Sequence, residues 1–202
     1  PRPVSSAASD VYKRQLPAWL DVPDEHAQRL VLRMDPGSAF GTGSHPTTRL
    51  CLEALEQQPP SGLRVADLGC GSGVLGLAAL GLGARQVLSV DTDSLAVRAT
   101  TDNAVLNDRS VDALRVSQGS VEVLATLLEG QPADLLLCNI LAPVIEALAP
   151  HFQSVLRPGG RGLLSGLLVE QAPRLIEVLG SLGWSAEPLA EQGRWGLLKI
   201  RR

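Results

Sequence analysis

The chain has 202 residues, 45% hydrophobic and 19% charged, with a formal net charge of −3. That length suits one full-sized domain with a buried core, and the charge balance excludes a general electrostatic attraction to nucleic acid. No apolar run approaches the ~20 residues needed to span a bilayer. No secretory signal is visible either, so the cytoplasm is the expected compartment. Aromatic residues make up only 3%, which leaves the core to Leu, Val and Ala. Cys51, Cys70 and Cys138 are far apart and form no C-x-x-C pair. They read as buried free thiols in a reducing compartment, with no metal site and no disulfide.

Residues 1–15 are small, polar and aperiodic, and are set aside as a disordered or non-native tail or linker. Residues 16–202 form the domain. Pro17, Trp19 and Pro23 suggest an extended, irregular opening. The run from Arg33 to Thr48, RMDPGSAFGTGSHPTT, is a glycine-rich loop whose backbone must approach something closely. Pro46 fits the first position of a helix, preceded by Ser44 or His45. Leu50, Leu52, Ala54 and Leu55 give that helix an apolar face, and the Pro59–Gly62 run stops it.

The stretch Arg64–Asp91 reads as strand, glycine turn, helix and second strand, with an acid where the second strand ends. Val65, Ala66 and Leu68 are of buried-strand type, Gly69–Gly73 make the turn, and Val74–Leu82 is an almost wholly apolar helix. Ser94 is the expected N-cap of a helix to about Asn107, with Leu95, Ala96, Ala99 and Val105 facing inward. A strand at Ala113–Val116, a helix at Val121–Leu128 and a central apolar strand at Ala133–Asn139 follow. The pattern then predicts a helix over Ile140–Leu156, closed by Arg157–Gly160, a strand at Gly162–Ser165 and a helix at Val169–Leu182. Strands near Trp184–Glu187 and Gly193–Ile200 complete the chain. The sum is an α/β, Rossmann-like, doubly wound sheet of seven strands, mostly parallel with an antiparallel C-terminal hairpin.

Gly71-Ser72-Gly73-Val74-Leu75-Gly76 satisfies the dinucleotide pattern G-x-G-x-x-G, and Asp91 lies near the expected ribose-binding offset. Asp67, at the end of the first strand, argues against that reading. A pyrophosphate there meets a like charge, whereas S-adenosylmethionine carries a cationic amino group and a sulfonium. Asp91 is suited to accept from both ribose hydroxyls. Capping of a turn or helix is the alternative for both acids.

Four stretches together, MDPGSAFGTGSHPTTRLCLEAL, VADLGCGSGVLGLAALGLGARQVLSVDTD, ADLLLCNILAPVIEALAP and LRPGGRGLLSGLL, resemble the family that methylates ribosomal protein L11 (PrmA type). The resemblance runs from about Leu16 to the C-terminus. It implies a class I S-adenosylmethionine-dependent methyltransferase fold and transfer to lysine side chains or an N-terminal amine of that ribosomal protein. Neither a membrane nor direct nucleic-acid binding is expected. It also implies a small recognition domain ahead of the catalytic part, in place of which stand only residues 1–15. The family's cofactor-binding positions match Thr48, Gly69, Asp91 and Asn139, to which the reading of the residues adds Phe40, Asp67 and Gly71. Phe40 closes over the methionine end of the cofactor, and Thr48 offers a hydroxyl, with an ordinary core or capping threonine as the alternative.

A free lysine amine is about three units from its neutral form at pH 7, or roughly 4 kcal/mol. Asn139, through its side-chain oxygen, and the Ile140 backbone carbonyl are the candidate catalytic groups. They can hold the amine without adding charge, with capping of the next helix as the alternative role for Asn139. Related glutamine methyltransferases carry N-P-P-Y where this chain has Asn139-Ile140-Leu141-Ala142, which favours an amine over an amide. His45 reads as a structural loop residue. Met34, Trp184 and Trp195 read as packing, and Lys199–Arg202 as a solvated end. Competing readings are methylation of another protein lysine or a small-molecule amine, a binding-only module, and an NAD-dependent oxidoreductase.

Overall fold

The computed structural model of the chain describes residues 13–17, 30–35 and 43–202. Two short parallel strands come first, β1 (Lys13–Pro17) and β2 (Leu30–Met34). Lys13, Arg14 and Gln15 thus belong to a strand, and regular structure starts ahead of Leu16. Trp19, Pro23 and Phe40 lie outside the described residues.

The rest is one seven-stranded sheet built from β3 (Arg64–Leu68), β4 (Gln86–Asp91), β5 (Leu114–Gln118), β6 (Ala133–Asn139), β7 (Leu156–Leu168), β8 (Ser185–Gln192) and β9 (Trp195–Arg201). Its order is β5-β4-β3-β6-β7-β9-β8; β9 runs antiparallel to both its neighbours, and the other pairs are parallel. The chain therefore winds outward from β3 to β5, returns to place β6 on the other side of β3, and winds outward again. A crevice opens at such a reversal, outside the carboxyl ends of the strands. β3 and β6 flank it.

Alternation along β3 sends Val65 and Asp67 to one face and Ala66 and Leu68 to the other. On the first face, α1 (Pro46–Gln57), α2 (Val74–Gly81) and α3 (Ser94–Leu106) cover a core that includes Leu55, Val65, Leu77, Val87, Leu135 and Leu137. On the second, α4 (Val121–Leu127), α5 (Ala142–Leu148) and α6 (Ala172–Ser181) cover Leu68, Leu88, Leu124, Ile145, Phe152 and Leu175. Met34 and Trp184 are buried in these cores. Cys51, Cys70 and Cys138 are buried free thiols, and burial pushes Cys51 up to about 12. Among the described residues no helix is long and apolar enough to cross a membrane, and no group of three or more acids, histidines and cysteines is placed to hold a metal ion.

The local departures from sequence expectation have physical causes. The helix expected over Ile140–Leu156 is split into α5 and a 3-10 segment, Ala149–Ser154, because Pro150 supplies no amide for an α-helical bond. The Arg157–Gly160 run does not end the preceding helix; it belongs to β7. There it forms an irregularity: Ala133 pairs with Leu156, whereas Leu135, two residues on, pairs with Arg161. The helix expected from Val169 opens as a 3-10 turn, Val169–Gln171, and becomes α-helical at Ala172. The N-cap of α3 is Asp93, not Ser94; its carboxylate accepts from the Leu95 amide at 2.8 Å. The inward face of α3 also differs: Leu95 and Val105 are 54% and 69% exposed, while Ala96, Thr100, Asn103 and Ala104 are buried.

Candidate active site

The carboxyl end of β3 leads into the glycine turn, where Gly69, Gly71 and Gly73 all take positive φ (78°, 56° and 79°). Only glycine adopts three such conformations in five residues without strain. The Gly69 and Cys70 amides both donate to the Val90 carbonyl, at 2.9 and 3.1 Å, which ties the turn to the end of β4. At that end the half-buried Asp91 accepts from the Gly71 amide at 2.9 Å through one oxygen and from the Asp93 amide at 3.0 Å through the other. Its carboxylate is thereby oriented, with lone pairs left for hydroxyl donors.

Asp67 has a different placement. It is 1% exposed and lies beneath the turn on the α1–α3 face, where it accepts from the Gly76 amide in the first turn of α2. The N-cap of α2, Gly73, has no side chain to cap with, so a carboxylate from the neighbouring strand satisfies one of the helix's open amides. Burial is the main cause that pushes Asp67 up to about 7; the Gly76 hydrogen bond opposes it, and the Asp91 charge adds to it. The second Asp67 oxygen, Oδ2, is buried with no hydrogen-bond partner, as is the Ser89 hydroxyl. Asp67 and Ser89 pair across β3 and β4. A Cβ at Gly76 would lie 3.0 Å from Val87 Cγ1 and 3.2 Å from Asp67 Oδ2, so this third glycine of the G-x-G-x-x-G run serves the packing of α2 on the sheet.

The polar stripe of α3 holds the turn from its other side. Thr100 donates to the Gly71 carbonyl at 3.0 Å. Asn103 donates to the Ser72 carbonyl and accepts from the Asp35 amide, both at 2.9 Å. Asn107 completes the link, exchanging hydrogen bonds with the Arg33 backbone through its amide nitrogen and oxygen. The end of β2 is therefore anchored beside the glycine turn. Sequence reasoning missed Thr100, Asn103 and Asn107; their three- and four-residue spacing with Ala96 and Ala104 was the available signal.

Across the crevice, β6 ends at the half-buried Asn139. Its amide nitrogen donates to the hydroxyl of Thr48 in the first turn of α1, 3.3 Å away and 91 residues apart in sequence. That geometry orients the Asn139 side-chain oxygen away from Thr48 and leaves it available as an acceptor. His45 is the N-cap of α1: its Nδ1 accepts from the Thr47 amide and lies 2.8 Å from the Thr47 hydroxyl, so the neutral ring carries its proton on Nε2. The ring meets Trp195 edge-to-face, with centroids 4.8 Å apart. The contacts with Thr47 and Trp195 make His45 part of the start of α1. Of the candidate residues, the structure brings Gly69, Gly71, Asp91, Thr48, Asn139 and Ile140 to the carboxyl edge of the sheet and puts Asp67 below it; Phe40 lies outside the described residues.

A glycine turn, an oriented carboxylate at the next strand end and a buried acid beneath the turn thus stand together at the carboxyl edge of β3 and β4. Residues 14–202 match the family model described as ribosomal protein L11 methyltransferase (PrmA). A ribosomal protein L11 methyltransferase of Parasynechococcus marenigrum (strain WH8102) is 73% identical over 187 residues, 93% of this chain and 65% of that protein. Its counterpart in Prochlorococcus marinus (strain MIT 9313) is 68% identical over 93% of this chain and 62% of its own length. The chain thus spans slightly under two thirds of these curated relatives. A crystal structure of ribosomal protein L11 methylase from Lactobacillus delbrueckii subsp. bulgaricus superposes with a TM-score of 0.82 at 32% identity, covering 96% of each chain.

Proposed function

Because the chain belongs to the ribosomal protein L11 methyltransferase (PrmA) family, we propose that it transfers methyl groups from S-adenosylmethionine to amino groups of ribosomal protein L11. The observation that carries this reading is the hydrogen bond between Asn139 and Thr48 at the crevice beside the glycine turn. It joins two segments remote in sequence at the position where a doubly wound sheet binds its ligand, which supports reading them as one acceptor site.

When bound, S-adenosylmethionine supplies a methyl carbon on a cationic sulfur that is already a good leaving group. The chain's residues position the two partners. Asp91 accepts from the ribose hydroxyls through lone pairs not taken by the Gly71 and Asp93 amides. Gly69 and Gly71 let the backbone approach the ligand. Asp67 caps α2 and, when ionised, places negative potential under a cationic ligand.

On the acceptor side, the Asn139 side-chain oxygen and the Ile140 carbonyl accept from the amine N–H groups and turn its lone pair toward the methyl. Both acceptors are neutral, and a desolvated site favours the uncharged amine, so neither raises its pKa as a carboxylate would. Thr48 holds Asn139 in that orientation. Most of the rate advantage of such a displacement comes from alignment, which is what these contacts provide. A ribosomal protein acceptor puts the reaction in the cytoplasm, and no direct nucleic-acid contact enters it.

The test is incubation with methyl-labelled S-adenosylmethionine and purified ribosomal protein L11, followed by peptide mapping. Label on lysine or N-terminal amines is the expected result. Cofactor binding with no label on that protein would refute the proposal.

A further inference from the structure

We infer that Gly166 is a positioning residue for methyl transfer: the bulge it forms in β7 and Gly69 of the glycine turn hold Ile140 between them, and so place its carbonyl oxygen. β7 and β9 pair regularly from Arg161–Arg201 to Leu164–Leu198, and resume at Leu167–Gly196. Ser165 and Gly166 therefore stand opposite Leu197 alone, with Gly166 at φ +84°. An extra residue in the left-handed region is the signature of a glycine bulge, a device that re-aims the backbone beside a site. The Ser165 hydroxyl fixes it by donating to the Gly196 carbonyl at 2.8 Å.

The bulge faces the residue after Asn139. A Cβ on Gly166 would collide with the Ile140 carbonyl oxygen and stand 2.6 Å from its carbon and 2.9 Å from its nitrogen. These are backbone atoms, so a flexible side chain cannot swing aside to relieve the contact. From the opposite direction, a Cβ on Gly69 would collide with the Ile140 γ-methyl. Ile140 is thus gripped on its peptide by β7 and on its side chain by the turn that serves the cofactor. The absence of a side chain at Gly166 lets the Ile140 peptide sit at this depth, and so sets where its carbonyl oxygen lies.

This inference rests on the proposed amine-acceptor role of Ile140, and its test has one arm that does not. Gly193 is a matched control: its φ is also positive, +61°, but nothing lies within 4 Å of a Cβ placed there. An alanine at Gly193 imposes the conformational strain without the collision. Gly166→Ala is expected to lower kcat on ribosomal protein L11 about 100-fold, while Kd for S-adenosylmethionine stays within about threefold and Gly193→Ala leaves kcat within that margin. If Gly166→Ala fails to fold, Gly166→Asn carries the same test, because asparagine tolerates positive φ but still brings a Cβ.

The independent arm is the Ile140 carbonyl carbon resonance of the isotope-labelled, cofactor-loaded protein. It should move in the Gly166 variant and stay in place in Gly193→Ala. An unmoved resonance, an unchanged kcat, or equal losses in both variants would overturn the inference. A wild-type protein that does not methylate ribosomal protein L11, together with a resonance that moves, would refute the proposed function while upholding the grip on Ile140.

Discussion

Replacing Asp67 by asparagine separates the two contributions this buried acid makes. Asp67 is 1% exposed, spends one oxygen on the Gly76 amide and leaves the other without a partner near the unpartnered hydroxyl of Ser89. Its folded value of about 7 stands above the ordinary 3.8. The folded chain therefore holds this proton more tightly than the unfolded one, and Asp67 subtracts stability as pH rises from about 4 to about 7, the loss being complete above that range. A difference of about three units corresponds to roughly 4 kcal/mol.

Asp67→Asn keeps an acceptor for Gly76, removes the charge and offers a donor within the pocket that holds Ser89. At pH 8 the variant should be more stable by roughly 2–4 kcal/mol, a rise in Tm of about 5–12 °C, with the gap narrowing toward pH 5. Melting and denaturant titrations of both proteins at pH 5, 6.5 and 8 measure it. In parallel, calorimetry should show wild-type affinity for the cationic S-adenosylmethionine rising from pH 6 to pH 8, and an affinity in the variant that is weaker at pH 8 and flat with pH. A stability difference that does not change with pH, or a variant less stable at pH 8, would refute the reasoning.

Asn139→Ala removes both the tie to Thr48 and the side-chain acceptor; kcat should drop by about 100-fold or more while the melting temperature changes little, since the residue is only half-buried. Asn103→Ala strips partners from the Ser72 carbonyl and the Asp35 amide, and should cost about 2 kcal/mol in chemical denaturation and weaken cofactor binding by loosening the turn. The three thiols should be silent to a disulfide exchange reagent in the native protein and react together once it is unfolded in guanidinium; a fast-reacting thiol in the native state would contradict their burial.

Much of the fold is written locally. The apolar runs at Val65–Leu68 and Ala133–Asn139, the glycine cluster between strand and helix, Pro46 at the first position of α1 and the acid at the end of β4 each act through neighbours in sequence, and each lies in the structure where those neighbours place it. What failed to read through had a non-local cause. Apolar spacing favoured Leu95 and Val105 for the inward face of α3, but the turn needs hydrogen-bonding partners there, and Thr100 and Asn103 face inward instead. Asp67 reads from its strand-end position as a ligand-facing acid; the alternation of β3 sends it under α2.

The sequence by itself determined that a glycine turn follows the first core strand and that Asp91 stands at the next strand end. Only the tertiary structure decided how Asn139 meets Thr48 and how Ile140 is gripped between Gly69 and Gly166. The physical reason is that β6 joins the sheet beside β3 after the chain reverses, and β7 and β9 then add to its far edge. Those pairings bring together Asn139 and Thr48, 91 positions apart, and no local propensity records such contacts.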